Sequence, residues 1–210
     1  MRKSVAVDVR RTMKLVGEGL AVERGGRCVF RDVDVAAAGG ELVLLAGPNG
    51  SGKTSLIKLI AGVLEPAAGK LSFTGGDDEL TIGQQAHLIG HQQAIKPALT
   101  VLENMQFWAG FFGGDRAMAC LDAFGLGELS GLPAGVLSAG QRRRLSLSRL
   151  FLSYRPIWLL DEPNVGLDGA SLAQLANHMR EHLKSGGLIV AAAHTDLGVK
   201  AHRTIELEGK

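Results

Sequence analysis

Long hydrophobic runs are missing from this 210-residue chain. The longest, Leu42–Ala46 and Leu188–Ala193, are strand-length, whereas a bilayer needs about 20 apolar residues in a row, which excludes a membrane-spanning helix. A dominant charge of one sign is missing too. Lys+Arg 23 against Asp+Glu 21 leaves a net charge of +2, too little for a nucleic-acid-binding footprint. Cysteine is scarce. Cys28 and Cys120 form neither a C-x-x-C pair nor a zinc pattern, so a disulfide scaffold is not expected and a reducing cytoplasm is the default. Disorder is excluded in turn, because 46% hydrophobic residues can fill one substantial core.

Glycine is what the chain has in excess, at 29 residues. Its pairs punctuate apolar runs, as turns between elements do. The basic start (Arg2, Lys3, Arg10, Arg11, Lys14) is followed only by the short Val5–Val9, which Asp8 interrupts. That run is too short for a secretory signal, so residues 1–12 read as a solvated extension of a single domain covering 1–210.

Buried strands are expected at Leu42–Ala46, Ile157–Leu160 and Leu188–Ala193, and helices at Thr54–Leu64 and Ser171–Leu183. Strand and helix in alternation predict a mostly parallel α/β sheet with crossover helices. From about 99 to 152 helical periodicity dominates, which predicts a helical insertion. Met13–Val22 and Cys28–Val35 read as antiparallel strands covering an edge.

One stretch carries the chemistry: Gly47-Pro48-Asn49-Gly50-Ser51-Gly52-Lys53-Thr54, followed by Ser55. It has the form G-x-x-x-x-G-K-T, between a buried strand and an apolar helix. Phosphate oxygens must approach the backbone closely, so the loop must lack bulk and tolerate positive φ. Its N–H groups and the helix N-terminus form an anion nest, Lys53 reaches the β- and γ-phosphates, and the Thr54 hydroxyl is offered to Mg²⁺. A chance Gly-rich turn would lack that flanking strand and helix.

A second apolar strand delivers Asp161 and Glu162 to its carboxyl end, where ligands bind in open α/β sheets. Asp161 is expected to hold Mg²⁺ through water, and Glu162 to take a proton from the water attacking the γ-phosphate. Two acids capping the next helix would be the ordinary alternative if the phosphate loop were not there.

Between these motifs lies Leu137-Ser138-Ala139-Gly140-Gln141, ahead of an Arg-rich helix. This order and spacing resembles the ATP-binding-cassette ATPases, whose signature is L-S-G-G-Q, and the likeness covers nearly the whole chain. The resemblance implies a P-loop NTPase of the ABC type: a mostly parallel core sheet, an N-terminal antiparallel β subdomain and an inserted helical subdomain. It implies ATP and Mg²⁺ as cofactors and ATP hydrolysis as the activity. It also implies a homodimer in which Ser138, Gly140 and Gln141 of one protomer meet the γ-phosphate held by the other. Asp168, in Val165-Gly166-Leu167-Asp168, matches the family's D-loop, and His194 its switch histidine.

Two positions depart from the pattern. Where the family stacks adenine on an aromatic ring this chain has Arg24, whose guanidinium can also stack on a base. Where the family has its Q-loop glutamine, nine residues before the Thr of Leu-Thr-x-x-Glu-Asn, counting back from Thr100 reaches His91. His91 is therefore a candidate metal contact, with Gln92 and Gln93 beside it as alternatives. With Glu23-Arg24-Gly25-Gly26, Ile89-Gly90-His91-Gln92 and Trp158-Leu159-Leu160-Asp161-Glu162-Pro163, these departures look like the haem-exporter ATPases of cytochrome c maturation. That likeness implies haem export, or release of a haem chaperone, for c-type cytochromes. It implies integral membrane permease partners and a place on the cytoplasmic face of the bacterial inner membrane. The alternatives are an ATPase for another transported substrate, or a switch acting on ribosomes or DNA. The latter usually carries two cassettes or a long coiled-coil insertion, neither of which is found here.

Arg142, Arg143, Arg144 and Arg149 read as a solvated face on the signature helix, with no nucleic acid as partner. Of Phe107, Trp108, Phe111 and Phe112, most are expected in the core, with a minority exposed to receive a membrane subunit.

Overall fold

A computed structural model describes residues 13–208, so the expected 1–12 extension lies outside the described residues. The elements run β1 (Lys14–Arg24), β2 (Arg27–Ala38), β3 (Leu42–Ala46), α1 (Lys53–Ile60), β4 (Ala68–Thr74) and β5 (Ala86–Ile89). Then come α2 (Val101–Phe112), α3 (Ala117–Ala123), α4 (Ala139–Ser148), β6 (Ile157–Asp161), α5 (Gly169–Lys184), β7 (Leu188–Ala192) and β8 (Arg203–Glu206).

Five strands form one sheet in the order β5-β6-β7-β3-β8, and every neighbouring pair in it is parallel. Every residue of β6 and β7 is buried, as strands covered on both faces require. On one face, Val43, Leu45, Leu159 and Val190 pack with Leu56, Ile57 and Ile60 of α1 and with Leu15, Leu20, Val22, Phe30 and Val35 of the antiparallel strands. On the other, Leu42, Trp158, Leu160, Ile189 and Ala191 pack with α2–α5, through Met105, Leu121, Leu145, Leu147, Leu175 and Met179. A parallel sheet sends its carboxyl ends to one edge. The ends of β3, β6 and β7 lie in register there, Leu45 and Asp161 both pairing with Ala192, and β5 joins through Ile89 and Leu160.

Several expectations need correction. β1, β2 and β4 form a separate antiparallel sheet, ordered β2-β1-β4, which faces the core sheet across a shared apolar layer and does not pair with its edge. The helix after the phosphate loop stops at Ile60, because the chain turns at Gly62, and Val63 is left 60% exposed instead of lying on a buried face. β4, β5 and β8 were not foreseen. β4 (AGKLSFT) and β8 (RTIE) are mostly exposed: β4 offers only Leu71 and Phe73 to the core, and β8 only Ile205, too few to mark a strand in the sequence.

The helical stretch 99–152 holds α2, α3 and α4. α2 opens on a capping box in which Thr100 accepts from the Glu103 backbone N–H and the Glu103 carboxylate accepts from the Thr100 N–H. Those bonds draw the Glu103 carboxyl below its ordinary range. None of the four aromatics on α2 is fully buried. Phe107 and Phe111 are exposed, and Trp108 and Phe112 pack half-buried against the core, because only one face of α2 meets the sheet.

The arginine face also differs from expectation. Arg143 is 2% and Arg149 5% exposed. Arg149 donates to the Ser146 carbonyl and hydroxyl at 2.9 Å each and lies 4.7 Å from the Trp108 ring centroid, and burial pulls it down to about 10. A buried guanidinium persists only where carbonyls and rings replace its water. Charge pattern alone does not reveal those partners.

Candidate functional site

The loop 47–52 leaves β3 and hands the chain to α1. Gly47 sits at φ 132, and a Cβ there would lie 2.2 Å from the Leu207 carbonyl oxygen, so only glycine fits between the loop and the residue following β8. Lys53, at the start of α1, is buried, and its Nζ donates to the carbonyls of Gly47 and Pro48 at 2.6 and 2.9 Å. This curls the ammonium back over its own loop, above the N-terminus of α1. The Ser51 hydroxyl is buried without a hydrogen-bond partner. A buried orphan donor beside an ammonium and a helix N-terminus suits an anion with several acceptor oxygens.

Across the cleft, Asp161 is 3% exposed at the end of β6, and both its carboxylate oxygens accept from the Thr54 hydroxyl, at 3.1 and 2.9 Å. A hydroxyl and a carboxylate are hard oxygen donors that fit Mg²⁺, which takes one or two protein ligands and completes its shell with phosphate oxygens and water. Among the described residues no group of three or more His, Cys, Asp or Glu side chains could hold a metal alone. Nucleotide oxygens would have to supply the rest.

Glu162 follows in a left-handed backbone conformation, φ 51, which is strained for a non-glycine residue. Its N–H donates to the Ala192 carbonyl at 2.8 Å. Its Oε1 lies 3.4 Å from Nε2 of His194, two residues past the end of β7, an ion pair when that imidazole is protonated. The carboxylate can accept a proton while the imidazole fixes its direction.

A cleft of about 730 Å³ gathers Arg24, Asn49, Gly50, Gly52, Lys53, Thr54, Ser55, His91, Asp161, Glu162 and His194, with Gly25, Arg27 and Val29 completing its wall. His91 lines it; Gln92 and Gln93 do not. Ser138, Gly140, Gln141 and Asp168 are outside it as well. Ser138 is exposed and caps α4 through a box with Gln141: its hydroxyl accepts from the Gln141 N–H at 3.2 Å, and its own N–H donates to Gln141 Oε1 at 2.8 Å. Asp168 is exposed and caps α5, accepting from the Ser171 N–H at 2.8 Å, a bond that lowers its carboxyl pKa. Gly140 packs against the turn before α5, and a Cβ on it would lie 2.9 Å from the Gly166 carbonyl oxygen.

Sequence reasoning missed two participants in the cleft region. Arg27 faces the cleft beside Arg24, and Arg143 reaches under its floor from α4. Arg27 lies one residue beyond the Glu23-Arg24-Gly25-Gly26 motif and could have been found as the far arm of the β1–β2 turn. Nothing in the sequence separates Arg143 from its neighbouring arginines.

Comparison with known proteins matches residues 30–165 to the ABC transporter family. Curated relatives include the cytochrome c biogenesis ATP-binding export protein CcmA of Rhodopseudomonas palustris (strain BisB18), 56% identical over 90% of this chain and 96% of that protein. The CcmA of Bradyrhizobium diazoefficiens is 53% identical over 89% and 94%. Among solved structures, a dimeric ATP-binding cassette in a post-hydrolysis state, bound to ADP and Pi, superposes with a TM-score of 0.78 at 25% identity, covering 93% of this chain and 96% of that one. No helix among the described residues is long and apolar enough to cross a membrane.

Proposed function

The chain belongs to the ABC transporter ATP-binding family, among the cytochrome c biogenesis ATP-binding export proteins, and from that premise we propose how it works. It is an ATP-hydrolysing transporter subunit. In our reading two copies sandwich two ATP molecules head to tail. They work on the cytoplasmic face of the inner membrane with integral permease subunits, in haem export or haem-chaperone release for c-type cytochromes.

The observation that carries this reading is a separation. The cleft holds phosphate-gripping and carboxylate residues, while Ser138, Gly140 and Gln141 lie outside it at the exposed N-terminus of α4. A helix N-terminus with a serine cap is an anion site looking for an anion. A second chain, turned head to tail, brings each such end over the other's nucleotide, an isologous arrangement that closes on itself.

Each residue then has a task. Gly47–Gly52, Lys53 and Ser55 hold the phosphates, with Arg24 beside the base. Thr54 and Asp161 would hold Mg²⁺, which supplies charge neutralisation to the β- and γ-phosphates. Glu162 takes the proton of the attacking water, His194 orients Glu162 and faces the γ-phosphate, and His91 stands where a metal-bound water or the γ-phosphate is monitored. Ser138, Gly140 and Gln141 close the site from the second protomer, and Asp168 lies at the seam.

Glu162→Gln keeps the side chain's shape and removes the proton acceptor. With ATP and Mg²⁺ it should elute as a dimer and hydrolyse at a background rate, while the parent chain turns over and returns to monomer. A variant that stays monomeric at saturating ATP, or hydrolyses at the parent rate, overturns the proposal. Affinity capture from detergent-solubilised membranes should bring down integral permease subunits.

A further inference from the structure

Among the described residues, Arg143 is the most enclosed Arg, Lys, Asp or Glu, at 2% exposure, and its surroundings are unusual. Its Nε donates to the Pro163 carbonyl at 3.1 Å and its Nη1 to the Gly90 carbonyl at 3.0 Å. Its Nη2 is shared between the carbonyls of Asp161 and Glu162, at 3.0 and 2.5 Å. Among the described residues no carboxylate forms an ion pair with it. Burial pulls its pKa down, and the charges of Asp161 and Glu162 hold it up. The guanidinium is therefore solvated almost entirely by backbone carbonyls, all from the rim of the cleft.

Those carbonyls come from two segments. Gly90 immediately precedes His91, and 161–163 is the end of β6 together with the strained residue that carries the candidate base. Glu162 is gripped from both sides: its N–H by Ala192 of β7, its carbonyl by Arg143. A non-glycine residue at φ 51 keeps that conformation only where its surroundings over-determine it. The Val165 N–H also donates to the Glu162 carbonyl at 3.3 Å, and Arg143 adds its restraint from α4, which opens at the Ser138–Gln141 capping box. A planar fork of fixed geometry is required. A lysine ammonium has three donors on a flexible stem and cannot span Gly90, Asp161, Glu162 and Pro163 together.

We propose that Arg143 is a positioning residue: it holds the Glu162 backbone in its left-handed conformation and ties that conformation to α4, the helix that meets the nucleotide of the second copy. Arg143 does not itself line the cavity and acts through the backbone of Asp161 and Glu162, which do. The inference rests on the proposed role of Glu162 as base, and it assigns Arg143 to the chemical step and not to nucleotide affinity.

The test uses the full chain with Arg143→Lys and Arg143→Met, each also placed in the Glu162→Gln background. Steady-state ATPase, equilibrium ATP affinity and urea unfolding are measured for the single variants, and ATP-driven dimerisation for the doubles. The expected result is a kcat at least tenfold lower in both single variants, with ATP affinity within twofold of the parent. The doubles should still form the ATP dimer. Arg143→Lys should stay folded, at a lower urea midpoint than the parent, and yet fail to restore kcat, separating the fork's geometry from its charge. A kcat within twofold of the parent in folded Arg143→Lys overturns the proposal. So does an equal fall in ATP affinity and kcat, which would mark a purely structural role. Loss of dimerisation in Glu162→Gln alone would instead overturn the sandwich reading on which the proposal rests.

Discussion

The hydroxyl of Thr54 stands 2.9 and 3.1 Å from the two carboxylate oxygens of Asp161, joining the first turn of α1 to the end of β6 across the cleft. In the proposed reading these two side chains would hold the divalent cation between them. In Thr54→Ala the proposed cation ligand is gone, while the loop and Lys53 should keep their geometry. Nucleotide binding without Mg²⁺ should be within threefold of the parent, and the gain on adding Mg²⁺ should shrink by about tenfold, since one hydrogen bond or ligand to a charged group is worth about 1.5 kcal/mol. Titration calorimetry with and without Mg²⁺ measures both. An undiminished Mg²⁺ effect would remove Thr54 from the cation site.

Gly140 bears on the proposed seam between copies. A Cβ there meets the Gly166 carbonyl oxygen at 2.9 Å, so Gly140→Ala must push the first turn of α4 away from the turn that precedes Asp168. Overpacking of this kind costs about 1–3 kcal/mol. The expected outcome in the Glu162→Gln background is ATP-driven dimerisation weakened tenfold or more, with monomer nucleotide affinity unchanged. Analytical ultracentrifugation at graded ATP concentrations reads it.

Arg24 and Arg27 line one end of the cleft with Gly25 and Val29, the end proposed to take the base, and no Phe, Tyr or Trp lines it. A guanidinium stacks on any purine. ATP and GTP should therefore be hydrolysed with kcat/KM values within about fivefold of each other, and Arg24→Ala should raise KM for both about two- to fivefold, the size of an exposed cation–π contact. A strong preference for ATP in the parent chain would contradict this.

Acid should destabilise the fold in a defined window. His87, 1% exposed, has its Nε2 2.9 Å from the Ser153 carbonyl. His182, 6% exposed, lies face to face with Trp158 at 4.0 Å. Burial lowers each from 6.5 to about 4. Between those values the unfolded chain binds a proton that the folded chain refuses, so stability is full above about pH 6.5 and is lost as pH falls towards 4. Each histidine contributes on the order of 1–3 kcal/mol over that range. Urea midpoints should fall from pH 7 to pH 5, and His182→Phe, which keeps the stack without the titration, should flatten the slope.

The elements around the cleft were legible because they obey strong local rules. Leu42–Ala46 and Ile157–Leu160 are continuous apolar runs, and G-x-x-x-x-G-K-T has almost no other use, so strand ends and phosphate loop could be placed together. β4 and β8 were not legible: most of their residues are exposed, and what fixes them is pairing with β1 and β3, far away in the chain. Arg143 shows the same limit. Its neighbours Arg142 and Arg144 are partly exposed, and only tertiary packing decides that the middle arginine of three turns inward. Phe107 and Phe111 misled for the opposite reason, since aromatic composition suggested core where α2 turns them to solvent.

Gly47 leans directly on the carbonyl of Leu207, and the Leu207 N–H in turn donates to Ala46 at 2.9 Å. The nest for phosphate is thus propped by a residue synthesised long after it. On the ribosome, residues 47–54 emerge well ahead of this brace, so the close approach of Gly47 to Leu207 is made only when β8 docks.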